Sequence, residues 1–302
     1  MEKVNSKELN NISQQYIMLD ETTGEIHPVT NKEALQVLHR DKLVQNKVNQ
    51  REGLKKKDNE DDFKKYIDSH YGSFYFNFYD LLHKQNLRPQ DQFRFIYLCT
   101  YANYENILMK NNKTKLTRKD FDEILGLSRM ETHRILDDLK EKRLLIEEGG
   151  VFMVNKKICV RGNLSTKEKS EEFARIFDEG IRELYEQASP KEHKFLNVFI
   201  QLLPYVNYEY NMVCKNPKET NKDLIEPLRV KEMAEILGYS KPSRLKSDLL
   251  KIKVGDTYAI TLFVNGLGMS IVINPKFFYK GNKKESLEIV EIGFNKRKEQ
   301  EK

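Results

Sequence analysis

The fold of this chain is decided by residues 116–157, LTRKDFDEILGLSRMETHRILDDLKEKRLLIEEGGVFMVNKK. Apolar residues at helical spacing on both sides of Gly126-Leu127-Ser128 predict two short helices joined by a tight turn. Ser128 is a natural N-cap, so the second helix is expected from about Arg129 to Lys142. Gly149-Gly150 then separates two strand-like runs, which predicts a β-hairpin.

The same series of elements occurs twice in the chain. Blocks of matching sequence return in the same order at offsets of 104, 112 and 119 residues, so insertions lie between them. We call the two series copy one and copy two, and an ordered set of matches indicates an internal duplication. The matched blocks are 101–105 with 205–209, 123–126 with 235–238, and 155–162 with 274–281.

Copy two predicts the same elements with different residues. Met233, Ile236 and Leu237 lead to a turn at Gly238-Tyr239-Ser240, and the next helix turns Leu245, Leu249 and Leu250 inward. Asn-Gly at 265–266, between apolar runs at 258–264 and 269–273, is a strong hairpin signal. The order of helix, helix-turn-helix and two-stranded wing is that of a winged helix. The expected fold class is α+β and mainly helical, with two tandem winged-helix domains and a polar N-terminal arm.

This interpretation divides the chain into five parts. The arm carries a small predicted hairpin, in which strand-like residues 16–20 and 25–27 flank a loop at 21–24, and its polar stretch 41–62 reads as a linker or an exposed helix. Ser165 and Glu168 have capping-box spacing, and an apolar stripe from Phe173 to Leu184 predicts a helix between the copies. The expected divisions are an arm at 1–64, winged-helix domain 1 at 65–164, a linker helix at 165–188, winged-helix domain 2 at 189–294 and a charged tail at 295–302.

Composition narrows the class of protein. The 302 residues are 39% hydrophobic and 32% charged, enough for two modest cores under a solvated surface. Without an apolar run long enough to cross a bilayer and without a secretory leader, the expected location is the cytoplasm, with no membrane partner. A net charge of +6 is compatible with a nucleic-acid partner.

The predicted DNA-binding residues lie at the two helix-turn-helix segments. The second helix of such a unit enters the major groove with its N-terminal residues at the base edges. Basic and small polar side chains suit those positions, since Arg and Lys bind guanine and Ser and Thr bond to bases or phosphates. The candidates are Arg118, Lys119, Ser128, Arg129, Thr132, His133 and Arg134 in copy one, and Arg229, Lys231, Ser240, Lys241, Ser243, Arg244, Lys246, Lys251 and Lys253 in copy two.

The two copies differ in the net charge of their predicted recognition helices. Residues 128–143 carry five basic and four acidic side chains, a formal +1, whereas residues 240–253 carry five basic and one acidic, a formal +4. Phosphate contacts supply much of the affinity of a protein for DNA, so copy two is expected to bind more tightly. Copy one is expected to bind more weakly or to serve partly as an interaction surface.

Signatures of catalysis are missing from the sequence. Gly149-Gly150 lacks the Lys-Ser/Thr of a phosphate-binding loop, and the six histidines include no pair at metal-ligand spacing. The three cysteines show no zinc spacing and read as reduced thiols. The chain is therefore expected not to be an enzyme and to use no cofactor and no metal.

One stretch resembles a known family. Residues 269–281, MSIVINPKFFYKG, run from a wing strand into Asn-Pro, apolar residues and Lys-Gly, a pattern similar to that of the RepL-type replication proteins of Firmicute plasmids and phages. Residues 287–294 look like the short strand that this family places next, and residues 20–26 are similar to its N-terminal hairpin. The resemblance covers roughly residues 190–294. It implies origin or operator binding without catalysis, followed by recruitment of host replication proteins. The departure from the family is the presence of a second winged helix, Phe74 to Gly162, in which Lys156 replaces the Pro.

Three functions are compatible with these observations. The first is a replication initiator of a plasmid, phage or integrated element that binds repeats in double-stranded DNA. The second is a transcriptional regulator of such an element, using the same surfaces on an operator. The third is a protein-interaction scaffold, because winged helices also bind proteins. Duplex DNA, host replication proteins and a second copy of the chain are the expected partners.

Overall fold

A computed structural model describes the backbone of residues 16–19, 26–29, 31–255, 257–265 and 268–300. The fold is α+β, with helices and small antiparallel sheets. The chain divides into two units, Met1–Asp61 and Asp62–Lys302.

The first unit contains a hairpin and most of a long helix. Strands β1 (Tyr16–Leu19) and β2 (Ile26–Val29) pair antiparallel, which confirms the predicted strands, while the predicted loop at 21–24 lies outside the described residues. Helix α1 (Asn31–His70) runs through the polar stretch, so the exposed-helix alternative is the one adopted. Its side chains at 42–49 are exposed.

The second unit contains the two copies. Copy one supplies β3 (Phe74–Asn77), α2 (Tyr79–His83), α3 (Pro89–Cys99), α4 (Asp120–Leu125), α5 (Arg129–Glu141), β4 (Leu145–Glu148), β5 (Val151–Val154) and β6 (Cys159–Val160). Copy two supplies β7 (Ala174–Phe177), α6 (Asp178–Gln187), α7 (His193–Leu196), α8 (Val198–Leu202), α9 (Val230–Ile236), α10 (Pro242–Lys251), β8 (Lys253–Val254), β9 (Thr257–Tyr258), β10 (Ile260–Asn265), β11 (Gly268–Ile273) and β12 (Phe278–Tyr279).

The linker helix predicted over 165–188 is wrong in its first half. Ser165 and Glu168 do form the reciprocal capping hydrogen bonds, but they close only a 3₁₀ turn at Glu168–Ser170. The chain then enters β7, and only α6 is helical. The apolar residues of this stretch have helical spacing, but the pairing of β7 with β3 decides for the strand because it buries Ala174 and Ile176.

A four-stranded antiparallel sheet joins the copies, in the order β12-β7-β3-β6. Each copy contributes one inner and one outer strand. In copy one, Phe76 pairs with Val160 and Asn77 with Cys159. In copy two, the corresponding pairs are Arg175 with Tyr279 and Ile176 with Phe278. Copy two therefore begins at its inner strand, so the repeat extends over residues 74–162 and 173–281, further towards the N-terminus than the sequence matches indicate.

Two asparagines have the same role in the two copies. Asn106 and Asn211 both have positive φ, 66° and 48°, a conformation that asparagine tolerates better than most residues. The Asn106 side chain donates to the carbonyls of Val154 and Cys159 at 3.2 and 2.6 Å. Asn211 donates to Ile273 and Phe278 at 3.3 and 2.8 Å. Each amide thus ties the end of the second wing strand to the outer strand of the central sheet.

The shared Asn-x-Lys block forms the same turn twice. Asn155 donates to the carbonyl of Arg143 at 2.7 Å, and Asn274 donates to that of Tyr258 at 3.1 Å. The side-chain oxygens accept from Lys157 N and Lys276 N, both at 2.9 Å. Asn155 and Asn274 therefore hold the turn that follows each wing, which is the physical reason for this part of the repeat.

The basic residue that follows each turn reaches into the other copy. Arg161 pairs with Asp178 at the start of α6, with 2.8 Å between Nη2 and Oδ2. Lys280, its counterpart, lies with Nζ 4.7 Å from the ring centroid of Tyr79 at the start of α2. Burial lowers the pKa of Lys280 to about 8. At Gly281 a side chain would meet Tyr208 O at 2.4 Å, so a residue without Cβ is required there.

One hydrophobic core runs through both copies. Tyr97 of α3 stacks on Tyr185 of α6 with 3.7 Å between ring centroids, and Phe199 stacks on Phe277. The sequence predicts two domains with a core each, whereas contacts group residues 62–302 as one unit. The apolar contacts between the copies stabilise their association, since apolar area removed from water is the main stabilising contribution to folding.

The strand expected at 287–294 is a helix. Helix α11 (Lys284–Gln300) covers these residues and the start of the predicted charged tail. Leu287, Val290 and Phe294 are spaced by three and four residues, and all three are buried, so one helix face packs on the unit. This departs from the RepL-like pattern at its last element.

The equivalence of Asn106 and Asn211 gives a first prediction. Asn106→Ala and Asn211→Ala should each lower the free energy of unfolding by about 2 to 4 kcal/mol, because each removes hydrogen bonds to two backbone carbonyls and places alanine at positive φ. Urea unfolding followed by circular dichroism measures the loss. Asn112→Ala, at an exposed asparagine, is the control. A large loss in only one of the two variants would contradict the equivalence.

Candidate nucleic-acid interface

The turn between α4 and α5 is built as the sequence predicts. Gly126 ends α4 in the left-handed conformation, with φ of 60°, and Leu127 N donates back to Asp122 O at 3.3 Å. Ser128 caps α5 by accepting from Glu131 N at 3.4 Å. The inward side chains are confirmed as buried: Ile135, Leu136 and Leu139.

Copy two builds a similar turn with one residue more. Gly238 has φ of 70°, and Tyr239 N donates back to Ala234 O at 2.8 Å. The cap residue of α10 is Lys241 rather than Ser240, because Pro242 occupies the first helical position, where its missing N–H costs nothing. Leu245 and Leu249 are buried as expected, whereas Ile236 is 41% exposed and does not face the core.

Two predicted DNA contacts in copy one have structural roles instead. Thr132 is fully buried, because it lies on the same face of α5 as Ile135 and Leu136, and this prediction is wrong. Arg134 turns back to α3 and binds Asp91, with both carboxylate oxygens within 3.0 Å of Nη2. Its guanidinium therefore connects α5 to α3 within the fold.

Arg134 is part of a partly buried ion network between α3 and α5, in which Asp91 and Arg94 are the buried members. Asp91 is 1% exposed in its side chain and accepts from Arg94 at 2.9 Å and from Arg88 at 2.8 Å. Glu131 binds Arg94 at 3.2 Å and Arg134 at 2.8 Å. A buried carboxylate needs such partners, because an unpaired charge in the interior is strongly destabilising.

The remaining basic residues around α5 are largely paired with acids. Arg118 lies 3.6 Å from Asp137 and 3.9 Å from Glu147. Lys140 binds Glu147 at 3.1 Å. Copy one's wing strand β4 also exposes Glu147 and Glu148 towards solvent. Within the described residues, Lys119, Arg129 and His133 keep free side chains, the first two of them exposed.

The basic residues of copy two are far less compensated. Among the described residues, Lys241, Lys246 and Lys231 have no acidic partner, and Arg229 reaches one only through its backbone N–H, which donates to Glu232 at 2.8 Å. Lys246 is partly exposed and the other three are exposed. Asp248 is the one acid of the segment, 4.0 Å from Arg244 and 3.5 Å from Lys251. Ser240 and Ser243 are exposed beside them, and Lys253 lies 3.9 Å above the ring of Tyr258. The first turn of α10 therefore presents positive charge to solvent.

Sequence reasoning missed Met130. It occupies the second position of α5 and is 83% exposed, more than any other large apolar side chain in the described part of the chain. Its position outside the inward stripe of α5 was the available signal. An apolar side chain at the start of a helix facing DNA can contact the methyl group of thymine.

Other kinds of site find little support in the described part of the chain. No group of three or more His, Cys, Asp or Glu side chains there could hold a metal ion. No described helix is both long and apolar enough to span a bilayer. A cavity of about 390 Å³ opens where α1, α6 and α11 meet the turn after the second wing, and its lining mixes His70, Glu179, Lys276 and Glu291 with apolar residues.

Comparisons with protein families, with curated proteins and with solved structures give no match.

The ion network predicts different outcomes for two arginines of α5. Arg134→Ala should lower the free energy of unfolding by about 1 to 2 kcal/mol, because a charged hydrogen-bond donor to buried Asp91 is lost. Arg129→Ala removes an exposed, unpaired arginine and should change it by less than about 0.5 kcal/mol. Urea denaturation of both variants measures the difference, and equal losses would show that Asp91 does not depend on Arg134.

Proposed function

We propose that the chain is a non-catalytic double-stranded DNA-binding protein, and that it acts as the replication initiator of a mobile genetic element. Each copy is interpreted as a winged helix, in which α5 or α10 is the helix that enters the major groove. Support comes from the order of elements, since each copy has a helix, two helices joined by a tight turn, and a two-stranded hairpin. That order is the one on which many DNA-binding domains are built.

The observation that carries the proposal is the exposed positive charge at α10. Lys241, Arg244 and Lys246 lie within the first turns of this helix, where a helix-turn-helix unit presents side chains to base edges. One acid accompanies the five basic residues of the segment. A helix that served only to pack against the core would not need an uncompensated charge on its outer face.

Copy one supports a weaker contact of the same kind. Its predicted cations Arg118 and Arg134 are held by acids of its own domain. Arg129 and Lys119 remain available for phosphates, and Met130 for an apolar base contact. Copy one is therefore proposed to contribute fewer ionic contacts than copy two, while still touching DNA.

The initiator role depends on the RepL-like stretch at residues 269–281. In this fold its Asn-Pro-Lys block is the turn after the hairpin, and its Lys280 lies against Tyr79 of copy one. These are structural roles, so the resemblance concerns the framework rather than a base-contacting surface. The origin would be bound through α10, and host replication proteins would be recruited by surfaces of the same chain.

Binding should depend strongly on salt. Each phosphate neutralised adds about 0.9 to the log-log slope, so about six to ten contacts predict a slope of about −5 to −9. Fluorescence anisotropy with a labelled random-sequence duplex between 50 and 300 mM KCl measures it. A flat response would exclude duplex DNA as the main partner and would favour a protein-interaction scaffold.

Variants of α10 should lose more affinity than matched variants of α5. Arg244→Ala with Lys246→Ala should weaken binding to a selected duplex by about tenfold to a hundredfold or more, as loss of base-edge contacts does. Arg129→Ala with His133→Ala should weaken it less, because copy one carries less free charge. Lys64→Ala with Lys65→Ala removes two exposed lysines elsewhere and is the control. A larger loss in the α5 variant would overturn the ranking of the copies.

The position of the binding sites separates initiation from regulation. Fragments selected by the purified chain from the DNA of its source can be mapped by sequencing. Repeated sites inside or beside its own gene, which also support replication of a fragment that carries them, are the result expected for an initiator. Sites confined to promoters, with no effect on replication, would assign the chain to transcriptional regulation.

A further inference from the structure

The register of the central sheet relates the two copies by a local two-fold axis. The inner strands pair antiparallel, with Phe76 opposite Arg175. These two residues are equivalent positions of the repeat, because Phe76 pairs outward with Val160 and Arg175 pairs outward with Tyr279. Equivalent residues opposite each other in an antiparallel pair define a two-fold axis through that pair.

The neighbouring pairs obey the same symmetry. Tyr75 opposite Ile176 and Asn77 opposite Ala174 exchange with each other when the copies are interchanged. Contacts between aromatic rings obey the same symmetry. The ring centroids of Phe74 and Phe177 are 6.0 Å apart, and those of the equivalent pair, Phe78 and Phe173, are 6.2 Å apart. The axis therefore extends beyond the backbone of one pair.

Contacts further from the sheet repeat in the same way. Arg161 of copy one reaches Asp178 of copy two, and Lys280 of copy two reaches Tyr79 of copy one. Asp178 and Tyr79 are equivalent, being the first residues of α6 and α2. Asn106 and Asn211 then fix each wing to its own outer strand. Strand pairing, crossed contacts and a common core hold the two copies in this arrangement.

We infer that one chain binds two half-sites of opposite orientation, an inverted repeat, with α10 on the tighter half and α5 on the weaker half. A two-fold axis that relates α5 to α10 can coincide only with a two-fold axis of the duplex, which is why palindromic operators mirror protein symmetry. Half-sites in direct repeat would need copies related by translation along the groove. The inference rests on the proposed DNA binding.

The two halves differ in sequence because the exposed residues of the helices differ. Aligned at their caps, Ser128 and Lys241, the helices present Met130 where α10 has Ser243, and His133 where α10 has Lys246. Burial supports this alignment, since Thr132 matches Leu245 and Leu136 matches Leu249. The two halves of the natural site would therefore have different sequences, and the inverted repeat could not be recognised from the site alone.

Making the helices alike at these two positions should reveal the repeat at the base pairs that Ser243 and Lys246 contact. Glu131, which aligns with Arg244, is left unchanged. The full chain with Met130→Ser and His133→Lys is used to select duplexes from a random pool, beside the unaltered chain. The α10 half is identified as the base pairs that lose their preference in Ser243→Ala with Lys246→Ala. In the selected sites of the M130S/H133K variant, those base pairs should reappear in the other half on the opposite strand. A synthetic duplex with two such halves inverted should bind this variant about tenfold or more tightly than one with the halves in direct repeat.

Reappearance on the same strand would overturn the inference, as would a second half that does not change. The reciprocal variant, Ser243→Met with Lys246→His, repeats the test in copy two if the first variant unfolds. Failure of the unaltered chain to bind any duplex in a salt-dependent way would instead refute the proposed function itself. The two failures are therefore distinguishable.

Discussion

The antiparallel pairing of β3 with β7 is the interaction on which the second unit depends. It joins the first strand of one copy to the first strand of the other, and each outer strand is then tied by hydrogen bonds to its own wing. Without this pairing, the apolar faces of both copies would lack the surface that covers them. A duplicated domain is converted in this way into one body with a common core.

Polar side chains define the details of this body. Asn106, Asn211, Asn155 and Asn274 each satisfy backbone carbonyls at chain reversals, where secondary structure cannot do so. Such groups are costly to leave unpaired, so they specify a unique geometry more strongly than interchangeable apolar residues do. Asn155 and Asn274 lie in the matched sequence blocks, whereas the equivalence of Asn106 with Asn211 is visible only in their hydrogen bonds.

The copies differ where they are not held by the sheet. In copy one, Asp91 and Glu131 draw Arg94 and Arg134 into an ion network between α3 and α5. In copy two, the outer face of α10 keeps its cations unpaired, apart from the two near Asp248. Changes at a few positions can thus let the charged residues of one copy stabilise the fold, while those of the other copy remain available to a partner.

Local patterns in the sequence determined the α4 and α5 helices, their turn, the wing of copy one and the duplication itself. Gly126, Ser128 and Gly149-Gly150 act within a few residues, so their conformations need no distant partner. Tertiary structure alone decided that residues 174–177 form a strand and residues 284–300 a helix. A short apolar segment adopts the secondary structure in which its apolar side chains pack against neighbouring elements. Tertiary structure also decided which arginine of α5 is free. Arg134 binds Asp91 of α3 and Glu131, whereas Arg129 has no acidic partner among the described residues.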